Sequence, residues 1–183
     1  MKTLIINGSP RINGNTESLI HIIKEGLVGE YKVLDAYRCN ISPCMDCRYC
    51  WENCGCAIED EMQEIYDYIQ VCDNILIASP IYFSELTGKV LDVGSRLQIY
   101  YSARMIRNDK VNIKPKKGAV LLVGGGDGRM DKAYETACTL LQHMNCDNIC
   151  ELVFSHNTNK RPAIKDEKAL IGVQGMIRFF NCM

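Results

Sequence analysis

Lys2-Thr3-Leu4-Ile5-Ile6-Asn7, followed by Gly8-Ser9-Pro10-Arg11-Ile12-Asn13-Gly14-Asn15-Thr16, is the stretch that decides the fold. The apolar run stops at Gly8, as a parallel strand buried on both faces does. A helix follows over Thr16 to Val28, with Leu19, Ile22, Ile23 and Leu27 on one face. In the loop between them, successive backbone N–H groups, the Ser9 and Thr16 hydroxyls and the helix N-terminus suit a dianionic phosphate. Arg11 adds a full positive charge and a planar fork. The loop lacks both the Gly-Lys-Thr ending of a Walker A loop and the glycine triplet of G-x-G-x-x-G. Polar strand-to-helix loops also occur without ligands, so these residues alone leave the phosphate site open.

Outward from this unit the same alternation recurs. Strands are expected at Tyr31 to Tyr37, Asn74 to Ser79 (ended by Pro80), Gly118 to Val123 and Ile149 to Phe154. Helices are expected at Asp60 to Val71, from Thr87 as N-cap through Tyr101, at Arg129 to Asn145 and at Asp166 to Phe180. Each shows an apolar face, for example Val90, Val93, Leu97 and Tyr101 in the third. The polar stretch from Ile106 to Lys117 reads as a connection. Five strands alternating with five helices predict an α/β, doubly wound five-stranded parallel sheet with helices on both faces. The whole chain, residues 1–183, reads as one domain with a cysteine-rich loop at 38–58. In this architecture ligands bind at the carboxyl ends of the strands, at the switch point of strand order.

The cysteine loop carries Cys44-Met45-Asp46-Cys47-Arg48-Tyr49-Cys50-Trp51-Glu52-Asn53-Cys54-Gly55-Cys56. Cys44, Cys47, Cys50 and Cys56 have the spacing C-x2-C-x2-C-x5-C. Thiolates two residues apart can point at one centre, and the close repeat suits an iron–sulfur cube better than zinc. Three thiolates would come from one compact turn, and Gly55 would let Cys56 return to the fourth corner, leaving Cys54 spare. The alternative is a group of free or redox-active thiols.

Composition narrows the class. Hydrophobic content of 47% supports a full core, and 21 Lys and Arg balance 22 Asp and Glu for a net charge of -1. That excludes a nucleic-acid footprint and an acidic tail. The first apolar run is too short for a signal peptide, and no segment approaches a membrane span. Eleven cysteines without an export signal point to a reducing cytoplasm. His21, His143 and His156 show no metal-ligand spacing and read as structural. Cys72, Cys138, Cys146, Cys150 and Cys182 read as small core or surface residues.

Gly8-Ser9-Pro10-Arg11 with Gly14-Asn15-Thr16 resembles the FMN-phosphate loop of the NADPH-dependent FMN reductase branch of flavodoxin-like proteins. Ser79-Pro80-Ile81-Tyr82-Phe83-Ser84-Glu85-Leu86-Thr87-Gly88 resembles that family's flavin-edge loop, and Gly124-Gly125-Gly126-Asp127-Gly128 its glycine loop beside the pyrimidine ring. The cysteine spacing is similar to that of the iron–sulfur flavoproteins, a subgroup of this family. The resemblance reaches to about Phe154 and implies the strand order 2-1-3-4-5. It departs downstream of the second loop, where the family's Lys and Asp-Arg pair are replaced by Leu91 and Ser95-Arg96, so that only Arg96 carries over.

The resemblance implies FMN as cofactor, rather than FAD. Ser9, Arg11, Asn13, Gly14, Asn15 and Thr16 would hold the phosphate, Pro80, Ile81, Tyr82 and Phe83 the ring edge, and Gly124, Gly125, Gly126 and Asp127 the region near N1. Asp127 is either a turn former or a polar contact. Cys44, Cys47, Cys50 and Cys56 would ligate a 4Fe-4S cluster, with Trp51 shielding or packing beside it. Hydride transfer from NADPH or NADH to flavin needs alignment more than an acid or base, so no catalytic side chain is expected. The expected enzyme is an oxidoreductase that takes electrons from NAD(P)H or a ferredoxin-like donor and reduces a small-molecule acceptor. The alternative is a non-catalytic flavodoxin-like electron carrier, against which the near-neutral charge speaks, since such carriers are usually acidic. Resembling enzymes complete a shallow flavin pocket with a second subunit, which implies a homodimer or homotetramer, with the surface around Tyr100 and Tyr101 as a candidate contact.

Overall fold

The computed structural model describes residues 1–111 and 113–182; Asn112, within the expected connection, and Met183 lie outside them. Strand β1 (Lys2–Asn7) runs parallel to β2 (Glu30–Asp35) on one side and to β3 (Asn74–Pro80) on the other. β3 pairs with β4 (Lys116–Val123), which carries two short strands, β5 (Cys146–Ile149) and β6 (Val153–Ser155). The order is β2-β1-β3-β4-β5, as expected, and strand order reverses between β1 and β3.

The uninterrupted apolar runs serve two layers. Leu4, Ile6, Ile75, Ile77, Val120 and Leu122 face one core, beneath α3 (Met62–Val71), α4 (Gly88–Ser95) and α6 (Asp131–His143). Ile5, Leu76, Ala78, Ala119, Leu121 and Val123 face the other, beneath α1 (Asn15–Gly26) and α7 (Glu167–Asn181). Successive strand side chains point to opposite faces, so a strand covered on both sides must be apolar throughout.

Two expectations need correcting. The strand read from Ile149 to Phe154 is divided, because one extra residue enters the pairing on each side of Ile149. Lys116 pairs with Cys146 and Lys117 with Asn148, which leaves Asp147 unpaired. Gly118 then pairs with Ile149 and Leu121 with Val153, so this edge is one residue longer than β4 over the next step as well. Second, the helix read from Thr87 to Tyr101 is two helices, α4 and α5 (Gln98–Met105). Between them the ladder tightens, with Arg96 N–H donating to Val93 O at 3.1 Å and Leu97 N–H to Gly94 O at 3.0 Å. Thr87 does stand at the N-cap of α4, but its hydroxyl does not cap the helix; it donates to Gly8 O at 3.1 Å.

The break between α4 and α5 places Arg96 among the largest fully buried side chains. Its Nη1 donates to Asp60 Oδ2 at 2.6 Å and to Ser42 O at 2.9 Å, and its Nη2 to Ile58 O at 3.2 Å. Asp60 also accepts from Ser42 N and Met62 N, both at 3.0 Å, and Tyr66 OH donates to Arg96 O at 2.8 Å. One ion pair thus closes both ends of the cysteine loop. Burial alone would push the Asp60 carboxyl up; the Arg96 hydrogen bond and the two backbone donors outweigh it and hold the carboxyl below its ordinary 3.8.

A lowered folded-state value stabilises the protein above the unfolded value and is lost as pH falls through the folded one. Urea midpoints of the wild type should therefore decline as pH drops below about 4, and Asp60→Asn should lose less over that window. At neutral pH the same variant should be destabilised by about 3–5 kcal/mol, the usual cost of leaving a buried charge without its partner. A neutral-pH cost near zero would show that the pair is dispensable.

Candidate functional site

The three loops expected to converge do so at the carboxyl edge of β1, β3 and β4. Gly8 N donates to Ala78 O at 2.8 Å, joining the first loop to β3, and Ile81 N donates to Val123 O at 2.9 Å, joining the second loop to β4. A Cβ on Gly8 would stand 2.5 Å from Val90 Cγ2 and 3.0 Å from both the Ser79 and Thr87 side-chain oxygens. Only a hydrogen fits there, which is why β1 ends in glycine.

In the first loop, Ser9 and Thr16 are buried while Arg11, Ile12 and Asn13 are exposed. The Ser9 hydroxyl is engaged within the loop, donating to Arg11 O at 3.0 Å and accepting from Arg11 N at 3.2 Å. Asn7, buried at the end of β1, accepts from Ser9 N at 2.9 Å through Oδ1 and donates to Glu17 at 2.7 Å through Nδ2. Asn15 Oδ1 accepts from Ala163 N at 2.8 Å, tying the loop to the turn before α7. Ser9 and Asn15 thus shape the loop, while the Arg11 guanidinium makes no hydrogen bond or ion pair among the described residues. Gly14 caps α1 without a side chain, leaving the first-turn N–H groups at Asn15, Thr16 and Glu17 outside the helix ladder. This concavity can take an anion.

The second loop is a two-residue hairpin. Tyr82 N donates to Glu85 O at 2.9 Å and Glu85 N to Tyr82 O at 3.0 Å, with Phe83 (φ 53°) and Ser84 (φ 63°) at the tip. Both tip residues occupy the left-handed region, as a type I′ turn requires. Holding the bulky Phe83 there is strained, and its ring is fully exposed. Tyr82 is half-exposed beside it, so a flat aromatic and backbone surface borders the anion site. The third loop is backed by residues 155–159: Gly124 N donates to Ser155 O at 2.8 Å, and Asn157, Thr158 and Asn159 donate to Gly126, Gly124 and Gly125 carbonyls at 2.8–3.1 Å. With its carbonyls drawn backwards, this loop presents N–H groups to the crevice. Asn7, Ser79 and Asn157–Asn159 were not singled out from sequence; each acts through hydrogen bonds that shape the loops.

Beside this edge, Cys44, Cys47, Cys50 and Cys56 all line one pocket with roughly 420 Å³ of empty space, part of it open to solvent; Cys54 does not line it. The thiols do not come from one compact turn. Cys44 and Cys47 lie in extended chain and Cys50 in the short helix α2 (Tyr49–Glu52), with Asp46, Arg48 and Gly55 in the left-handed region. Among the described residues no three His, Cys, Asp or Glu side chains stand close enough to hold a metal ion. Cys44 N donates to Ser95 Oγ at 2.9 Å, Cys50 Sγ lies 3.3 Å from Ser102 Oγ, Arg107 donates to Cys50 O and Gln63 to Cys56 O at 3.4 Å. Trp51 is half-exposed, under the Arg48 guanidinium at 4.7 Å. Arg96 lines the same pocket, and its Nε is buried without a hydrogen-bond partner. Four cysteines lining one space, with Arg96 and its unpaired donor in the same lining, fit a sulfur-ligated centre in number and in chemistry.

The remaining thiols differ. Burial pushes Cys72 and Cys150 up to about 11 and Cys146 to about 12, which makes them inert packing groups. Tyr100 is buried and Tyr101 exposed. Among the described residues no helix is long and apolar enough to cross a membrane.

Residues 1–159 match the NADPH-dependent FMN reductase family. The chain is 29% identical to an iron–sulfur flavoprotein of Methanosarcina thermophila over 74% of its own length and 70% of that protein's. It is 34% identical to one from Methanocaldococcus jannaschii over 57% of each, little more than half of that relative. A solved NAD(P)H:quinone oxidoreductase from Methanothermobacter marburgensis superposes with TM-score 0.72 at 18% identity, covering 99% of this chain and 96% of that one. An FMN-dependent NADH-azoreductase from Bacillus anthracis, in complex with FMN, gives 0.69 at 13% identity over 99% of each chain. At those identities the two structures speak for the fold alone; it is the match over residues 1–159 by which the chain belongs to the NADPH-dependent FMN reductase family and is an NAD(P)H-dependent FMN oxidoreductase.

Proposed function

We propose that the chain binds FMN across the three joined loops, takes electrons from NADPH or NADH and delivers them to a small-molecule acceptor. The observation that carries this reading is the junction itself, in which an anion-accepting loop, an exposed aromatic hairpin and a glycine loop are bonded to one another at the strand-order switch point. Bound there, FMN supplies the hydride acceptor that amino-acid side chains lack. The phosphate would lie on the N–H groups of residues 12–16, with Thr16 and Arg11 as side-chain partners and Asn13 and Gly14 lining the turn. Ser9 and Asn15 serve by fixing the loop. Pro80, Ile81, Tyr82 and Phe83 would border the ring, with Gly124 allowing close approach, and the N–H groups of Gly125, Gly126 and Asp127 would favour negative charge near N1. No acid or base is required of the protein; its part is to align and to exclude water.

The second part of the proposal is a 4Fe-4S cluster held by Cys44, Cys47, Cys50 and Cys56, supported by their common pocket and by the position of Cys54 outside it. A cluster there would pass single electrons to and from the flavin, and a ferredoxin-like donor would then suit the enzyme as well. The third part is a homodimer or homotetramer in the cytoplasm. Tyr101, Met105 and Ile106 are exposed at the end of α5 and supply apolar surface for it.

Mixing the flavin-loaded protein anaerobically with NADPH should bleach the flavin absorbance directly; no bleaching with either nicotinamide would point to a carrier. Arg11→Ala with Thr16→Ala should weaken FMN binding by about 1–3 kcal/mol, and unchanged affinity would remove the phosphate from this loop. Protein prepared without air should contain about four iron and four sulfide per chain, falling sharply in Cys47→Ser and not in Cys54→Ser. Fully flavinated, active protein free of iron would make the cysteines plain thiols. Light scattering of flavin-loaded protein at micromolar concentration should give at least the dimer mass; a monomer would refute the assembly.

A further inference from the structure

Arg96 is asked for more than an ion pair with Asp60. Its Nη1 and Nη2 reach Ser42 O, Ile58 O and Asp60, and so grip the chain on both sides of the cysteine segment. The preceding residue, Ser95, holds Cys44 N. Two adjacent residues at the break between α4 and α5 therefore fix the start of the segment, its first cysteine and its end. One donor is left over. Nε is buried, has no acceptor among the described residues, and belongs to a side chain that lines the pocket of Cys44, Cys50 and Cys56. An N–H buried without an acceptor costs about 1–3 kcal/mol, so its persistence calls for a partner absent from the protein atoms.

We infer that Arg96 is a positioning residue of the four-cysteine centre, and that its Nε–H is held in reserve for an anionic sulfur of that centre. The inference rests on the proposed sulfur-ligated cluster. Asp60 largely balances the guanidinium charge, so the effect reaches the pocket through the N–H dipole more than through net charge. A hydrogen bond to cluster sulfur stabilises the more negative, reduced state and raises the reduction potential. Asp60 and the loop carbonyls would be served by any cation of similar reach; the Nε–H would not.

Arg96→Lys separates the two roles, because lysine keeps the charge opposite Asp60 and has no Nε–H. In anaerobically reconstituted protein, FMN, iron and sulfide contents should match the wild type. The cluster's reduction equilibrium should shift about tenfold against reduction, which is about 59 mV for one electron, followed by dye-mediated titration with EPR detection. A loaded Arg96→Lys protein with the wild-type potential would overturn the inference and leave the cluster standing. If Arg96→Lys fails to fold or to load iron, the neutral pair Arg96→Met with Asp60→Asn, which also lacks an N–H at that position, takes its place, with the same shift expected and the same null result decisive. A wild type that takes up no iron and sulfide overturns the cluster and this inference together.

Discussion

The carboxyl edge of the sheet depends on how closely the end of β1 lies against β3. Gly8 sits where a single methyl group would overlap Val90, Ser79 and Thr87. Its N–H is bonded to Ala78 and its carbonyl takes the Thr87 hydroxyl. The anion-accepting loop and the aromatic hairpin are consequently one rigid unit. Since Ile81 N is bonded to Val123 O, the glycine loop moves with them. Positioning a large planar ligand to within a fraction of an ångström is the main demand on an enzyme whose reaction needs no side-chain acid or base. Loops tied to a fully covered sheet meet that demand better than loops tied to one another.

The two halves of the edge manage charge differently. The anion loop offers N–H dipoles and one exposed guanidinium, a combination that welcomes a solvated dianion and lets it leave. The cysteine pocket instead has a fully buried guanidinium already matched by Asp60. Burying that pair earns little stability by itself, because desolvation offsets most of the attraction. Its use is geometric: the guanidinium reaches three acceptors, Ser42 O, Ile58 O and Asp60, and so joins the two ends of the cysteine segment.

What could be read from the sequence was what is local. β1 and its glycine are contiguous, and the central parallel strands are uniform apolar runs, so the sheet and its edge followed, while the strand order came from the family resemblance. Spacing sets Cys54 apart from the other four cysteines, and those four line one pocket that Cys54 does not. What escaped depends on distant partners. The division of β5 from β6 follows from pairing offsets against β4, and Val153, Phe154 and Ser155 look no different from Ile149 in type. The helix from Thr87 looked continuous because Val90, Val93 and Leu97 keep their period across the break. The break serves Arg96, whose partners lie between Ser42 and Asp60. Thr87 was assigned the nearest use for a hydroxyl, a helix cap, and found a backbone partner across the fold instead.

The manner of attachment also separates the mechanics of the two sites. The cysteine loop is held by side chains from α3, α4, α5 and the chain around them: Gln63, Ser95, Arg96, Ser102 and Arg107. Its link to the anion loop is a bond from Arg38 to Pro10 O at 3.0 Å. Strand pairing would have fixed the loop's register through its backbone, whereas here side chains clamp it at Cys44, Cys50, Cys56 and its two ends. Asp46, Arg48 and Gly55, all in the left-handed region, mark where that course already turns. A segment of this kind can draw its thiols together around a centre while Gly8, Ala78 and Val123 keep the neighbouring edge in place. The buried Arg96–Asp60 pair at the root of the loop ties both of its ends to the break between α4 and α5.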